Sequence, residues 1–249
     1  MPFRPCPGSR AFAQPHPDVV RCPQCSKDVE IWSDEATGQC RACGRVVIRT
    51  ETQSCVDWCR FAKDCLGEQK FREYGQMKAT WRKAVLLEHL EAKLGADNPT
   101  LASSREVLRY AEAICSREEA ADPNLVVAAA LLLAIAPPAQ PAATPAPAGP
   151  DVNPPALDAV RAVLHELDYP EAFASCVCKV LACVHSGLTA DDAKSPMESR
   201  VILDALLLAQ HEKSLGRSDA LPAREVAAKC LTDPGRAVAM EMRRLTPPA

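Results

Sequence analysis

Four cysteines near the start of the chain stand in two pairs, Cys22-Pro-Gln-Cys25 and Cys40-Arg-Ala-Cys43, with 14 residues between the pairs. A C-x2-C spacing makes a tight turn that aims two thiolates at one point. Two such turns supply the four ligands that tetrahedral Zn²⁺ takes. Gly44 permits the turn after the second pair. Four sulfurs close the coordination shell, so the implied zinc, one per chain, is structural and not catalytic. A segment this short has little core of its own, and the metal then supplies folding free energy.

A second cysteine group follows, Cys55-Val-Asp-Trp-Cys59-Arg-Phe-Ala-Lys-Asp-Cys65. On one continuous helix Cys55 and Cys59 share a face. Cys65 lies about 120° from Cys59, so all three converge only if the helix ends near residues 63–66. Two readings stand side by side. One is a second metal or iron–sulfur site, with Cys6 or Cys115 as a fourth ligand. The other is a set of thiols packed as small hydrophobes.

The elements that must position these groups follow from composition and periodicity. The chain has 249 residues, 47% hydrophobic and only 4% aromatic, so its core must be built mainly of Ala, Leu and Val. That composition favours helices over a sandwich or barrel. Residues 1–20 are proline-rich and without helical period, and read as a flexible tail. Residues 21–52 hold the two cysteine pairs around two β-type runs, Asp28–Ser33 and Arg45–Thr50, and a hairpin between the pairs is expected to bring them together. Residues 53–78 read as a cysteine- and aromatic-rich helical connector, in which Trp58, Phe61, Phe71 and Tyr74, with Trp81 beyond it, pack the modules together.

From residue 79 to 249 a helical domain is expected. Ala79–Leu94 and Ser103–Ser116 are amphipathic. Asp122-Pro123 reads as an N-cap with proline at the first helical position. It opens Asn124–Ala136, apolar on every face and therefore a buried central helix. Eight prolines fall within 137–155, a Pro/Ala-rich segment read as a disordered loop. Helices are expected again at about 155–168, 171–186, 197–214, 222–231 and 234–245.

Residues 21–50 resemble a zinc ribbon. The segments Ser103–Ile114, Ala128–Ile135, Pro154–Tyr169, Val177–Gly187 and Val201–Ala209, in that order, resemble the HD-domain family, all-α metal-dependent phosphohydrolases. The ribbon followed by Cys-x3-Cys and Gly67-Glu68 is similar to a subgroup of bacterial HD-domain proteins with a cysteine-rich front end. The resemblance implies a mainly α fold, an HD-like helical bundle preceded by a small β zinc ribbon. It also implies a metal centre of four ligands: a His on the first core helix, a His-Asp pair ending the central helix, and an Asp on a later helix. Those positions fall on Ser103, on Leu133 and Ala134, and on Asp204, so three of the four ligands are absent. Of the family's additional histidines His185 alone is kept. The apolar Leu133-Ala134 offers nothing to a hydrated cation; Ser103, His185 and Asp204 form a weak metal site only if they converge, and otherwise His185 and Asp204 are expected to form a partly buried pair or to meet solvent.

The remaining motifs are sparse. His89, His165 and His211 each sit near a glutamate on an expected amphipathic helix and read as members of solvated faces. Ser175, Cys176 and Cys178 lack a triad arrangement, and no Gly-rich phosphate loop occurs. No catalytic residue is assigned. The net charge of −3 argues against a dedicated nucleic-acid or anionic-membrane binder. Residues 1–80 carry 12 Lys/Arg against 10 Asp/Glu, weak support for nucleic acid. The N-terminus lacks the apolar region of a signal peptide, and paired cysteines suit a reducing compartment, so a cytoplasmic protein is expected.

Three functional readings remain open at this level. The first is a zinc-binding regulatory or scaffold protein without catalysis, with a protein partner or a small phosphate ligand. The second is a phosphohydrolase with divergent ligands. The third is a cysteine-based redox or iron–sulfur sensor.

Overall fold

The computed structural model describes residues 14–49, 56, 59–137, 155–186, 195–215 and 221–245. It is mainly helical, with four short strands ahead of nine helices among the described residues. The chain divides into two compact units, Met1–Glu88 and His89–Ala249. No helix among the described residues is long and apolar enough to cross a membrane.

The first unit opens with two hairpins. β1 (Pro17–Arg21) pairs antiparallel with β2 (Asp28–Trp32), Val20 opposite Val29. β3 (Thr37–Gln39) pairs antiparallel with β4 (Val46–Ile48), Gly38 opposite Val47. β2 alternates strictly, with Val29 and Ile31 buried and Asp28, Glu30 and Trp32 outward, as a half-buried strand must. Cys22, Val29, Ile31, Cys40 and Val47 form one small core. Gly38 is required there, since a Cβ would come within 2.7 Å of Ile31 Cγ1.

The structure corrects three expectations in this region. Residues 17–20 are strand β1 and not tail. β3 had no signal, because Thr-Gly-Gln has neither alternation nor β-branched runs. Each cysteine pair closes its own hairpin, where a single hairpin between the pairs was expected.

α1 (Ala62–Leu66) is one short turn ended by Gly67 at φ +79°. α2 (Glu68–Leu94) runs 27 residues and buries Leu86 and Leu90 fully. It starts 11 residues earlier than the expected Ala79. Val56, Ala62 and Tyr74 cluster, with Cys59, Leu66 and Met77 against them. Phe61 and Phe71 are exposed, so the five aromatics expected to pack together do not share one buried cluster; Trp58 lies outside the described residues.

The second unit contains α3 (Pro99–Cys115), α4 (Pro123–Leu132), α5 (Pro155–Glu166), α6 (Glu171–Ser186), α7 (Met197–Ser214), α8 (Ala223–Lys229) and α9 (Asp233–Leu245). Asn98 caps α3 by accepting from the amides of Thr100 and Leu101, and Asp122 caps α4 by accepting from Asn124. Such caps satisfy amides that have no partner within the helix. α4 is the central element. It packs on α3, α6 and α7, and every residue from Val126 to Leu132 is buried. It stops four residues short of the expected Ala136. The chain then tightens, with the amides of Ala134 and Ile135 donating three residues back, to Leu131 and Leu132. The Pro/Ala-rich stretch 138–154 and the expected loop within it lie outside the described residues.

Candidate metal centre

The two hairpin tips have the same construction. In the first, the Ser26 amide donates to the Cys22 carbonyl and the Cys22 amide to the Lys27 carbonyl, both at 2.9 Å. In the second, Gly44 donates to Cys40 and Cys40 to Arg45, both at 2.8 Å. The residue after each pair has a left-handed backbone, Ser26 at φ 56° and Gly44 at φ 74°. The hairpins therefore act as two copies of one ligand-bearing turn. Glycine adopts this conformation freely, whereas serine carries Cβ strain.

The sulfurs of Cys22, Cys25, Cys40 and Cys43 all lie within 4.8 Å of one another. Cys22 to Cys43 is 3.6 Å and Cys25 to Cys40 is 3.5 Å. An ion held by four sulfurs at about 2.3 Å sets sulfur–sulfur edges of about 3.8 Å. The observed spacing and the all-sulfur donor set therefore fit a tetrahedral soft-metal site such as a zinc site. Cys22 and Cys40 are buried and Cys43 is exposed, so the ion would sit near the surface with no coordination position left for substrate.

Protons are shared unequally among the four thiols. The Cys25 and Gln24 amides, with the neighbouring thiols, draw Cys22 down to about 6. The Cys43 and Ala42 amides lower Cys40. The Lys27 amide favours the Cys25 thiolate, but burial and the thiols of Cys40, Cys43 and Cys22 push that group up to about 12. Cys43 is raised too: the Arg45 amide and Cys25 lower it, but burial and the thiols of Cys22 and Cys40 outweigh them. Four thiolates this close repel one another, and a divalent cation removes that repulsion.

Arg49 braces the unit beneath the site and carried no signal in the sequence. Its side chain is buried, donating to the carbonyls of Ser33 at 2.8 Å and Glu35 at 3.0 Å. It also meets Asp18 of β1 at 3.4 Å. Its own carbonyl accepts from Trp81 Nε1 at 2.9 Å, which ties α2 to the end of the ribbon.

The other candidate residues are dispersed. Cys59 packs beside Val56, Ala62 and Tyr74. Cys65 is half-buried on α1, which begins only at Ala62, so Cys59 and Cys65 do not share one helix. Cys55 and Cys6 lie outside the described residues. Burial, with Asp122 and Glu198 nearby, pushes Cys115 up to about 12, so its thiol is a poor ligand. Among the described residues only the four ribbon cysteines gather as a metal group.

In the second unit the positions carried over from the HD pattern each have separate employment. Ser103 accepts from Lys213 Nζ at 3.0 Å. Leu133 and Ala134 are buried in the turn after α4. His185 Nε2 meets the Ala136 carbonyl at 3.0 Å. Asp204, 1% exposed, accepts from the Leu231 amide at 2.7 Å and from the Thr232 amide and hydroxyl at 2.9 and 2.7 Å. Thr232 Oγ1 in turn accepts from Gly235 at 2.9 Å, so the pair secures the first turn of α9. Gly235 has no room for a Cβ, which would run into the Asp204 carboxylate. Burial pushes Asp204 up, against the Leu231 and Thr232 donors that lower it. In place of a mutual pair or a plain meeting with solvent, His185 bonds to the Ala136 carbonyl and Asp204 to the Leu231–Thr232 segment.

His89 and His165 meet Glu166 and Glu171 at 3.1 and 2.9 Å, on partly or fully exposed faces. His211 departs from the expectation, being 7% exposed. It lines a cavity together with residues 221–224 and Met242 of α9, which no local pattern announces. Comparison with known protein families, curated proteins and solved structures gives no match.

Proposed function

We propose that this is a zinc-ribbon protein whose helical unit is a non-catalytic relative of the HD-domain phosphohydrolases, serving as a regulatory or scaffold module. The observation that carries this reading is the contrast between four convergent sulfurs and Asp204. Asp204 is the one acidic group kept at an HD position, and both its oxygens accept from the Leu231–Thr232 segment. A closed four-sulfur zinc has no open position for chemistry. A hydrolytic centre needs hard ligands around one or two divalent ions. Thiols held as metal ligands suit the reducing cytoplasm.

The partner favoured by the surface is a protein. On the outer side of β1 and β2, Pro17 stands opposite Trp32 beside Val19; Val19 and Trp32 are 67% and 44% exposed. Apolar groups gathered at a surface favour protein contact over nucleic acid.

Elemental analysis of the purified full chain tests the reading. One zinc per chain and no other metal is expected. Manganese, iron or magnesium in stoichiometric excess would overturn it, as would Mn²⁺-dependent hydrolysis of phosphate esters that disappears in Asp204→Asn. A visible iron–sulfur absorbance after anaerobic purification would move the reading to the Cys55, Cys59, Cys65 group.

A further inference from the structure

Two close sulfur approaches in the ribbon cross from one hairpin to the other, Cys22 to Cys43 at 3.6 Å and Cys25 to Cys40 at 3.5 Å. Each joins the first cysteine of one knuckle to the second cysteine of the other. Each also joins a buried sulfur to a more accessible one. Cys22 and Cys40 are 1% exposed, whereas Cys43 is exposed and Cys25 half-buried. The knuckle backbones are fixed by their own amide–carbonyl bonds, at 2.9 Å in the first and 2.8 Å in the second. The chain itself therefore holds the sulfurs in this pairing.

A disulfide bond is about 2.05 Å long, so each pair has to close by roughly 1.5 Å. A disulfide within one knuckle, Cys22 to Cys25 or Cys40 to Cys43, would leave the hairpins unconnected. The two cross-hairpin pairs connect them, and so would replace the cross-link that a bound ion gives. The first such bond also removes one ligand from each knuckle at once. Two sulfurs then remain, half of what a structural zinc site needs.

We propose that the ribbon is a peroxide-responsive switch that exchanges its zinc for two disulfides, Cys22–Cys43 and Cys25–Cys40. The inference rests on the zinc-site reading above. The accessible Cys43 thiolate attacks one oxygen of hydrogen peroxide. The O–O bond breaks, hydroxide leaves, and Cys43 becomes a sulfenic acid. The Cys22 thiolate then attacks the Cys43 sulfur, the S–S bond forms and a second hydroxide leaves. Cys25 and Cys40 repeat both steps with a second peroxide. Each pair gives up two electrons and each peroxide takes two, so four thiolates and two peroxides become two disulfides and four hydroxides. The negative charge that held the divalent ion is gone, and the ion is released. A dithiol reductant reverses both bonds by exchange.

The test treats the zinc-loaded full chain with hydrogen peroxide, blocks the remaining thiols and digests with trypsin, which cuts after Arg21, Lys27, Arg41 and Arg45. Cys22–Cys43 joins peptide 22–27 to 42–45, and Cys25–Cys40 joins 22–27 to 28–41. Both links are expected, Cys22–Cys43 first, together with loss of the zinc. Dithiothreitol with added zinc should restore the metal. Cys176→Ser, which removes an exposed thiol of the helical unit, should leave the release rate unchanged. Disulfides formed within the knuckles overturn the proposal, as does zinc release that depends on Cys176. Zinc content before peroxide separates the two readings. A chain that binds no zinc fails the zinc-site reading and this proposal with it, whereas one that binds zinc and keeps it under peroxide fails this proposal alone.

Discussion

In the first unit four thiols face one another across two hairpin tips, while in the second the polar groups at comparable candidate positions each face a separate partner of their own. The difference follows from how much core each region owns. The ribbon has five buried side chains in its core cluster, two of them cysteines. Strands of three to five residues around so small a core need an outside cross-link, and convergent sulfurs provide one. The helical unit has α4 buried along nearly its whole length and packed by three helices. It is held by apolar burial, and its buried carboxylate, Asp204, satisfies backbone donors. Polar residues in a region without a core are organised around a ligand. In a region with one they serve the fold.

The sharpest way to break this comparison is to remove one sulfur. Cys40→Ser should abolish stoichiometric zinc binding and collapse the ribbon's dispersed amide resonances, while helical circular dichroism is largely kept. Retention of one zinc per chain would contradict the four-sulfur site. The matching experiment in the second unit is Asp204→Ala, which orphans the Leu231 and Thr232 amides and the Thr232 hydroxyl. A loss of about 3 kcal/mol in urea unfolding is expected, with metal content unchanged. A change in metal content would return Asp204 to a metal centre. Gly235→Ala drives a methyl into the same carboxylate and should cost about 2 kcal/mol. Disappearance of the Gly235→Ala increment in an Asp204→Ser background would show that the two act at one place.

An alkaline limit should appear in the second unit. Cys115 and Cys230 are pushed from 9.0 to about 12, in both cases mainly by burial. Between those values the folded chain holds protons that the unfolded chain has released, so stability falls as pH rises through that window. Thermal melts should lose several degrees between about pH 9 and pH 11, and less in Cys230→Ala. Iodoacetamide at neutral pH should modify the exposed Cys176 well before Cys230.

The smallest effects separate the two knuckles. Gly44→Ala meets no atom within 4 Å, so its cost is conformational, about 1 kcal/mol. Ser26→Gly relieves the corresponding strain and should be neutral or stabilising by less than 1 kcal/mol, since glycine also loosens the unfolded chain. Zinc competition against a chelator would register both.

Much of the site was legible because its determinants are local. The C-x2-C spacing dictates a knuckle whatever surrounds it, and Gly44 marks the left-handed turn of the second. Ser26 concealed the first, because serine does not announce a positive φ. In the helical unit, Asp122-Pro123 and the unbroken apolar run marked the start and burial of α4, and α6 and α7 fall on 171–186 and 197–214 as the periodicity predicts. The hairpin partners β1 and β3 were not legible, since Pro17–Arg21 and Thr37–Gln39 become strands only through their neighbours. The aromatic residues misled for the same reason: helical spacing places side chains on a face, and burial of that face depends on what covers it.

The sequence by itself determined the mainly helical class, the buried central helix and the identity of the four sulfurs, because these depend on composition, period and spacing within short windows. Tertiary structure decided that each knuckle closes its own hairpin, that Arg49 braces them, that Asp204 secures α9 across 27 residues of chain, and that His211 is enclosed. Those outcomes are contacts between segments distant in sequence. A side chain's chemistry sets what it can bond to, but only packing decides which partner comes within reach.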